Sequence, residues 1–152
     1  WGLELSAQVA FTPALTWRTA WLWSDFHFDG HVTYADNALP GIPEHFVRSE
    51  LTWTPRDGYF VTLNMEAAPE RYPVDMANSL FADSYVIWGV KIGRSIGRGL
   101  SWFIEGRNLS DRTYAATTGV IADARGMDSA QFYPGDGRAV YAGLSWRPPG
   151  EH

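Results

Sequence analysis

Residues 99–114, GLSWFIEGRNLSDRTY, decide how the rest of this 152-residue chain is read. The first half alternates strictly. Leu100, Trp102, Ile104 and Gly106 share one face, and Ser101, Phe103, Glu105 and Arg107 share the other. That period of two is the signature of a β-strand, and residues 108–114 run it out into a loop. The polar face carries two full charges and the apolar face none. A half-buried strand of a soluble sandwich has this pattern. So does a membrane strand with lipid on one side and a polar lumen on the other.

Working outward, the same pattern recurs. Residues 1–11, 15–28, 45–54, 59–67, 84–95 and 138–147 alternate in the same way, so about seven strands are expected. The connections alternate in length. Thr12-Pro13-Ala14, Pro55-Arg56-Asp57-Gly58 and Ile96-Gly97-Arg98-Gly99 are short turns. Residues 29–44, 68–82 and 110–137 are long, irregular and rich in Gly, Pro, Asn and Asp. In an up-and-down antiparallel meander, all short turns fall at one end and all long loops at the other. Trp17, Trp53, Tyr59, Trp102 and Trp146 then gather near the short-turn end on the apolar faces, as a membrane interface selects. Glu4, Arg18, Arg48, Glu50, Glu66, Lys91, Glu105 and Arg107 occupy the opposite faces, so both faces cannot be dry core. Arg or Lys facing lipid near the bilayer midplane would cost about 2–4 kcal/mol, which accounts for the asymmetry. Seven meander strands do not close on themselves. An open edge in hydrocarbon leaves backbone groups unpaired, so the chain is expected to be one arc of a larger barrel.

Composition narrows the partners. The net charge is -5, which disfavours nucleic acid, since phosphate binding needs a basic face. There is no Cys, which excludes disulfides and thiolate metal sites. No run of about 18 apolar residues offers a transmembrane helix. No signal peptide is visible, and the chain starts directly in a strand, as a piece lacking its N-terminal part would.

Four segments carry a family resemblance. LPGIPEHFVRSELTW (39–53), YPVDMANS (72–79), FIEGRNLSDRTYAA (103–116) and FYPGDGRAVYAGLSWRP (132–148) resemble successive signatures of the C-terminal barrel of TonB-dependent outer-membrane receptors. EGRNLSDRTY resembles that family's Asn-Leu-x-Asp-x-x-Tyr exit from the next-to-last strand, and YPGDGRAVYAGL resembles its entry to the last. The resemblance covers residues 1–148 in order, leaving 149–152 as a disordered tail. It implies an all-β fold, strands 16 to 22 of a 22-stranded barrel, with the plug and TonB box outside this chain. It further implies uptake of a ferric siderophore or similar metal chelate, with outer-membrane lipid, the plug, the remaining barrel strands and TonB as partners. The spacing is nearest the siderophore or iron-citrate branch. Family members finish on an aromatic residue read by the assembly machinery. Pro148 stands there in this chain, so either Trp146 substitutes or the terminus is altered.

Candidate sites follow. Asp25, His27, Asp29 and His31 would share one side of an extended strand, where a metal complex could be captured; a solvated strand extension is the plainer reading. His31, Tyr34, Arg71, Tyr72, Arg112 and Tyr114 are candidate ligand contacts on extracellular loops, Arg being suited to carboxylate or phosphate. Asn108, Asp111, Arg112 and Tyr114 equally suit local capping of a strand end. Glu50, Glu66, Lys91, Glu105 and Arg107 are expected to face the lumen, either toward the plug or as cross-strand pairs. No resident cofactor or metal is expected. Without a Gly-x-Ser-x-Gly elbow or paired carboxylates in a cleft, neither is an enzyme. Two other classes stay open: a small self-contained outer-membrane barrel acting as enzyme or adhesin, and a soluble ligand-binding β-sandwich whose apolar faces pack together.

Overall fold

A computed structural model describes residues 1–97, 99–125, 128–129 and 131–147. Pro148, the tail 149–152 and Arg98 of the third short turn lie outside the described residues. The elements are β1 (Gly2–Thr12), β2 (Leu15–Ser24), β3 (His45–Trp53), β4 (Tyr59–Ala68), β5 (Tyr72–Pro73), β6 (Phe81–Ala82), β7 (Tyr85–Gly97), β8 (Leu100–Arg107), β9 (Ala115–Thr118), β10 (Phe132–Pro134) and β11 (Ala139–Trp146). Seven of them form one antiparallel sheet in the order β1-β2-β3-β4-β7-β8-β11, an uninterrupted meander. The other four form two-stranded ribbons, β5 with β6 and β9 with β10, inside two of the long loops.

The seven expected strands are all present, with their short turns at one end. The second short turn bends through Asp57 (φ 67°) and Gly58 (φ 75°), successive left-handed residues that fit the strand twist. At Gly58 a side chain would also strike the carbonyl of Ser95. One boundary differs. β2 ends at Ser24 and not at Phe28. Beyond it the chain forms an irregular ribbon in which Phe26 O accepts from Leu39 N (2.8 Å), Phe28 N donates to Asn37 O (2.9 Å), and His27 and His31 bridge Ala38 and Ala35. Asp25, His27, Asp29 and His31 therefore do not line up on one extended strand. Among the described residues, no group of three or more His, Asp or Glu is placed to hold a metal ion.

The register sorts the two faces. Leu5 pairs with Trp21, Trp21 with Val47, Leu63 with Val90, Ile92 with Ile104 and Trp102 with Leu144, all on the convex face. This face is uncovered: Leu5 is 50% and Leu144 76% exposed. The sandwich expectation, in which these side chains meet in an interior, is overturned. Nor do β1 and β11 pair with one another, so the described strands do not close into a small barrel of their own. The buried apolar cluster sits at the long-loop end instead. There Ala68, Tyr72, Val74, Ala82 and Tyr85 pack with Phe46, Leu80, Ile87 and Tyr114.

On the concave face, large and absent side chains alternate across strands. Phe60 pairs with Gly93, Gly93 with Phe103 and Phe103 with Gly143. A Cβ on Gly93 would meet the Phe60 ring, and one on Gly143 the Phe103 ring. Each ring thus lies over the bare backbone of the neighbouring strand, a cross-strand packing that helps pin the register.

Candidate functional site

The concave face places charges of opposite sign on adjacent strands. Arg18 on β2 reaches Glu50 on β3 (3.4 Å), and its Nε donates to Gln8 on β1 (3.0 Å). Arg48 on β3 reaches Glu66 on β4 (2.9 Å), whose other oxygen accepts from the Tyr85 hydroxyl (3.0 Å). Glu105 on β8 takes Arg107 (2.7 Å) and Lys91 on β7 (3.9 Å). Three of the cations also lie over aromatic rings: Lys91 over Phe103 (4.3 Å), Arg107 over Tyr141 (4.8 Å) and Arg48 over Phe46 (5.1 Å). Glu50, Glu66, Lys91, Glu105 and Arg107 share this face; Arg18–Glu50, Arg48–Glu66 and Lys91–Glu105 are cross-strand pairs, and Glu105–Arg107 lies along β8 itself. The exposed Arg18–Glu50 pair contributes about 0–1 kcal/mol. The better-covered Glu105 is held by two cations. Arg18, Arg48, Glu50, Glu66, Glu105 and Arg107, with Asn64, Asn108, Tyr114 and Asp136, line an open concavity of about 760 Å³. Three of the four carboxylates on its wall, Glu50, Glu66 and Glu105, are paired with arginines, so most of the charge is neutralised within the wall.

The long-loop end is closed by a knot that the sequence does not announce. Asp75 is fully buried (0% exposed). Its carboxylate accepts from Ser79 N (2.8 Å), Leu80 N (3.0 Å), Ala124 N (3.0 Å) and the Ser79 hydroxyl. Burial pushes this carboxyl up. The hydrogen bonds from the Ser79 hydroxyl and the Ala124, Leu80 and Ser79 amides together outweigh burial and hold it below its ordinary value. Met76 N and Ala77 N donate to Ile121 O and Ala122 O (2.9 and 3.0 Å), tying loop 69–84 to loop 108–138. Asn78 (φ 51°) exchanges two hydrogen bonds with Ala38, both 2.9 Å, and Asn37 Nδ2 reaches Met76 O (2.9 Å), tying in loop 25–44. The left-handed Asn at 78 was the available signal, since Asn tolerates that conformation.

The expected ligand contacts divide. Tyr72 is buried in the apolar cluster, and burial raises its hydroxyl pKa. Tyr114 packs at a tilt of 37° against Tyr85 (4.6 Å between centroids) and covers Gly135. Its hydroxyl is raised by burial and then by the Glu66 and Asp136 carboxylates. Both are neutral phenols with packing roles. Arg112 is exposed and donates to Ser84 O (3.1 Å). Asn108 behaves as a strand terminator: its amide donates to Arg112 O (2.8 Å) and Asp136 O (2.9 Å) and accepts from Arg112 N (2.9 Å). Arg71 is exposed, paired with Asp83 (3.3 Å) and set over Phe81. His31 and Tyr34 join Phe28 in an aromatic group at the tip of loop 25–44, with His31 and Tyr34 stacked at 5.0 Å. His31 Nδ1 accepts from Thr33 N (3.2 Å) and Tyr34 N (3.3 Å), which leaves Nε2–H as a free donor and disfavours metal ligation.

No family model and no curated protein matches the chain by sequence. Its fold, however, is that of solved uptake receptors. The siderophore receptor PiuA from Acinetobacter baumannii superposes with a TM-score of 0.76 at 20% identity, over 95% of this chain and 21% of that one. The ferric yersiniabactin uptake receptor FyuA from Yersinia pestis gives 0.76 at 20% identity, over 95% and 23%. The copper transporter OprC gives 0.69 at 17% identity, over 95% and 23%. These neighbours are TonB-dependent outer-membrane receptors, not enzymes. The chain therefore has the fold of a barrel segment of such receptors and spans about a fifth of their length.

Proposed function

We propose that this chain is the C-terminal arc of an outer-membrane TonB-dependent receptor that imports a scarce metal chelate. The observation that carries the reading is the sheet's two-sidedness combined with its open edges. Strands of 8 to 13 residues, rising about 3.3 Å per residue and tilted about 40°, suit an apolar band about 25 Å tall. The convex side offers grease, and the concave side offers neutralised polar groups. β1 and β11 each leave a row of backbone groups unpaired on their outer edges, at several kcal/mol per group in hydrocarbon. Further strands must flank both, and a plug fits against the hydrogen-bonding concave wall. Ligand would meet the long loops first, with His31, Tyr34, Arg71 and Arg112 as the solvent-facing contacts.

Charge narrows the cargo. Residues 25–44, 69–84 and 108–138 carry eleven carboxylates against four arginines. Such a field repels polyanions within about 8 Å at physiological salt and draws in cations. The chelate that fits is neutral or positively charged.

The test is iron-limited uptake by cells expressing the whole gene, supplied in parallel with neutral, cationic and trianionic ferric chelates. Energy-dependent uptake favouring the first two is expected. Uptake of the trianionic chelate in preference, or growth unaffected by deleting the gene, would refute the reading. Brominated-lipid quenching of Trp in the outer-membrane fraction tests the orientation separately.

A further inference from the structure

The convex face of the seven strands carries one formally charged side chain among the described residues, Arg94 on β7. Its register partners are Tyr59 on β4 and Trp102 on β8, both turned the same way. It stands at the short-turn end, directly opposite Trp102 in register, with Trp53 and Trp146 at nearby register positions on the same face. The side chain is organised. Its guanidinium carbon sits 4.4 Å above the centroid of the Tyr59 ring, and Nε donates to Asp57 O (3.0 Å). Among the described residues it forms no ion pair with a carboxylate, unlike Arg18, Arg48, Arg71, Arg107 and Arg138. Nε and one face of the guanidinium are thus committed, while among the described residues the terminal nitrogens make no hydrogen bond.

We infer that Arg94, framed by Tyr59 and Trp102, binds the phosphodiester of a phospholipid in the bilayer leaflet at the short-turn end. The inference rests on the membrane-spanning reading above. At that height an aromatic belt meets the headgroups. A planar guanidinium there matches a phosphate bidentately, and the Tyr ring beneath it restricts the rotation that a free arginine would lose on binding. An unpaired cation on a face otherwise given to hydrocarbon is also costly unless an anion meets it. The phosphate answers that cost.

The experiment uses the whole receptor extracted from the outer membrane in a neutral detergent. Dioleoyl phosphatidylglycerol, dioleoylglycerol and inorganic phosphate are titrated separately, with bound lipid read by native mass spectrometry. Wild-type protein is expected to retain one phosphatidylglycerol that Arg94→Gln binds about tenfold more weakly, while Arg94→Lys keeps an intermediate affinity. Equal retention by wild type and Arg94→Gln would overturn the site. So would equal retention of phosphatidylglycerol and dioleoylglycerol, because acyl chains alone would then suffice. Binding of inorganic phosphate as tight as that of the lipid would overturn the assignment to a lipid. Brominated-lipid quenching of the Trp residues in the same variants reports membrane placement independently of lipid retention. Loss of quenching in wild type points to failure of the barrel reading, whereas quenching without Arg94-dependent retention points to failure of this inference alone.

Discussion

Replacing Asp75 by alanine removes one buried carboxylate that four donors share. The Ser79 hydroxyl can turn toward Asp123 Oδ1, 3.5 Å away, but the amides of Ser79, Leu80 and Ala124 have no such alternative. A buried amide left without an acceptor costs about 1–3 kcal/mol. Three would set a ceiling of about 9 kcal/mol. Water entering the polar cavity left by the carboxylate lowers this, so local opening is expected to become about 3–5 kcal/mol easier. At 1.4 kcal/mol per decade, about 4 kcal/mol is nearly a thousandfold in exchange rate. The reporters are the Met76 and Ala77 amides, which donate across to Ile121 and Ala122 and do not touch the Asp75 side chain. Hydrogen exchange in the intact receptor, with Leu63 and Val90 in the sheet as internal standards, measures the effect. Asp75→Asn, which keeps one acceptor oxygen, is expected to lie between the two. Met76 and Ala77 exchanging within threefold of wild type in Asp75→Ala would mean that the loops are held by something other than this carboxylate.

The same group predicts acid sensitivity. Its folded value lies below the ordinary 3.8, so its contribution is complete above that pH and is lost as pH falls through the lower folded value. Pepsin, which works in acid, should begin cutting the 108–138 loop only in that range, and Asp75→Asn should abolish the pH dependence. On the convex face, Ile104→Arg places a cation mid-strand and should destabilise the folded barrel by about 2–4 kcal/mol in urea-induced unfolding in lipid vesicles; an unchanged midpoint would argue that Ile104 does not face lipid. On the concave face, Gly143→Ala drives a methyl into the Phe103 ring and should cost about 1–3 kcal/mol. Adding Phe103→Ala should recover part of that loss, a non-additivity that a double-mutant cycle reads directly.

The backbone of this fold was legible in the chain because strand periodicity is local. Alternation over eight to thirteen residues depends only on which side of the pleat each side chain takes, and Pro and Gly mark the turns at their own positions. That local record was enough to give seven strands, their order, the short-turn end and the sidedness that sets Glu50, Glu66, Lys91, Glu105 and Arg107 apart from Leu5, Leu63 and Leu144. The tertiary structure decided what depends on residues distant in sequence. Asp75 meets Ala124 across forty-nine positions, and Asn78 meets Ala38 across forty. No periodicity encodes those partners, so Tyr72 and Tyr114 read as loop aromatics until packing buried the first and set the second against Tyr85. Where β2 stopped was likewise settled by the ribbon with residues 37–44, because backbone hydrogen bonds formed between two segments outweigh an alternating pattern written in one.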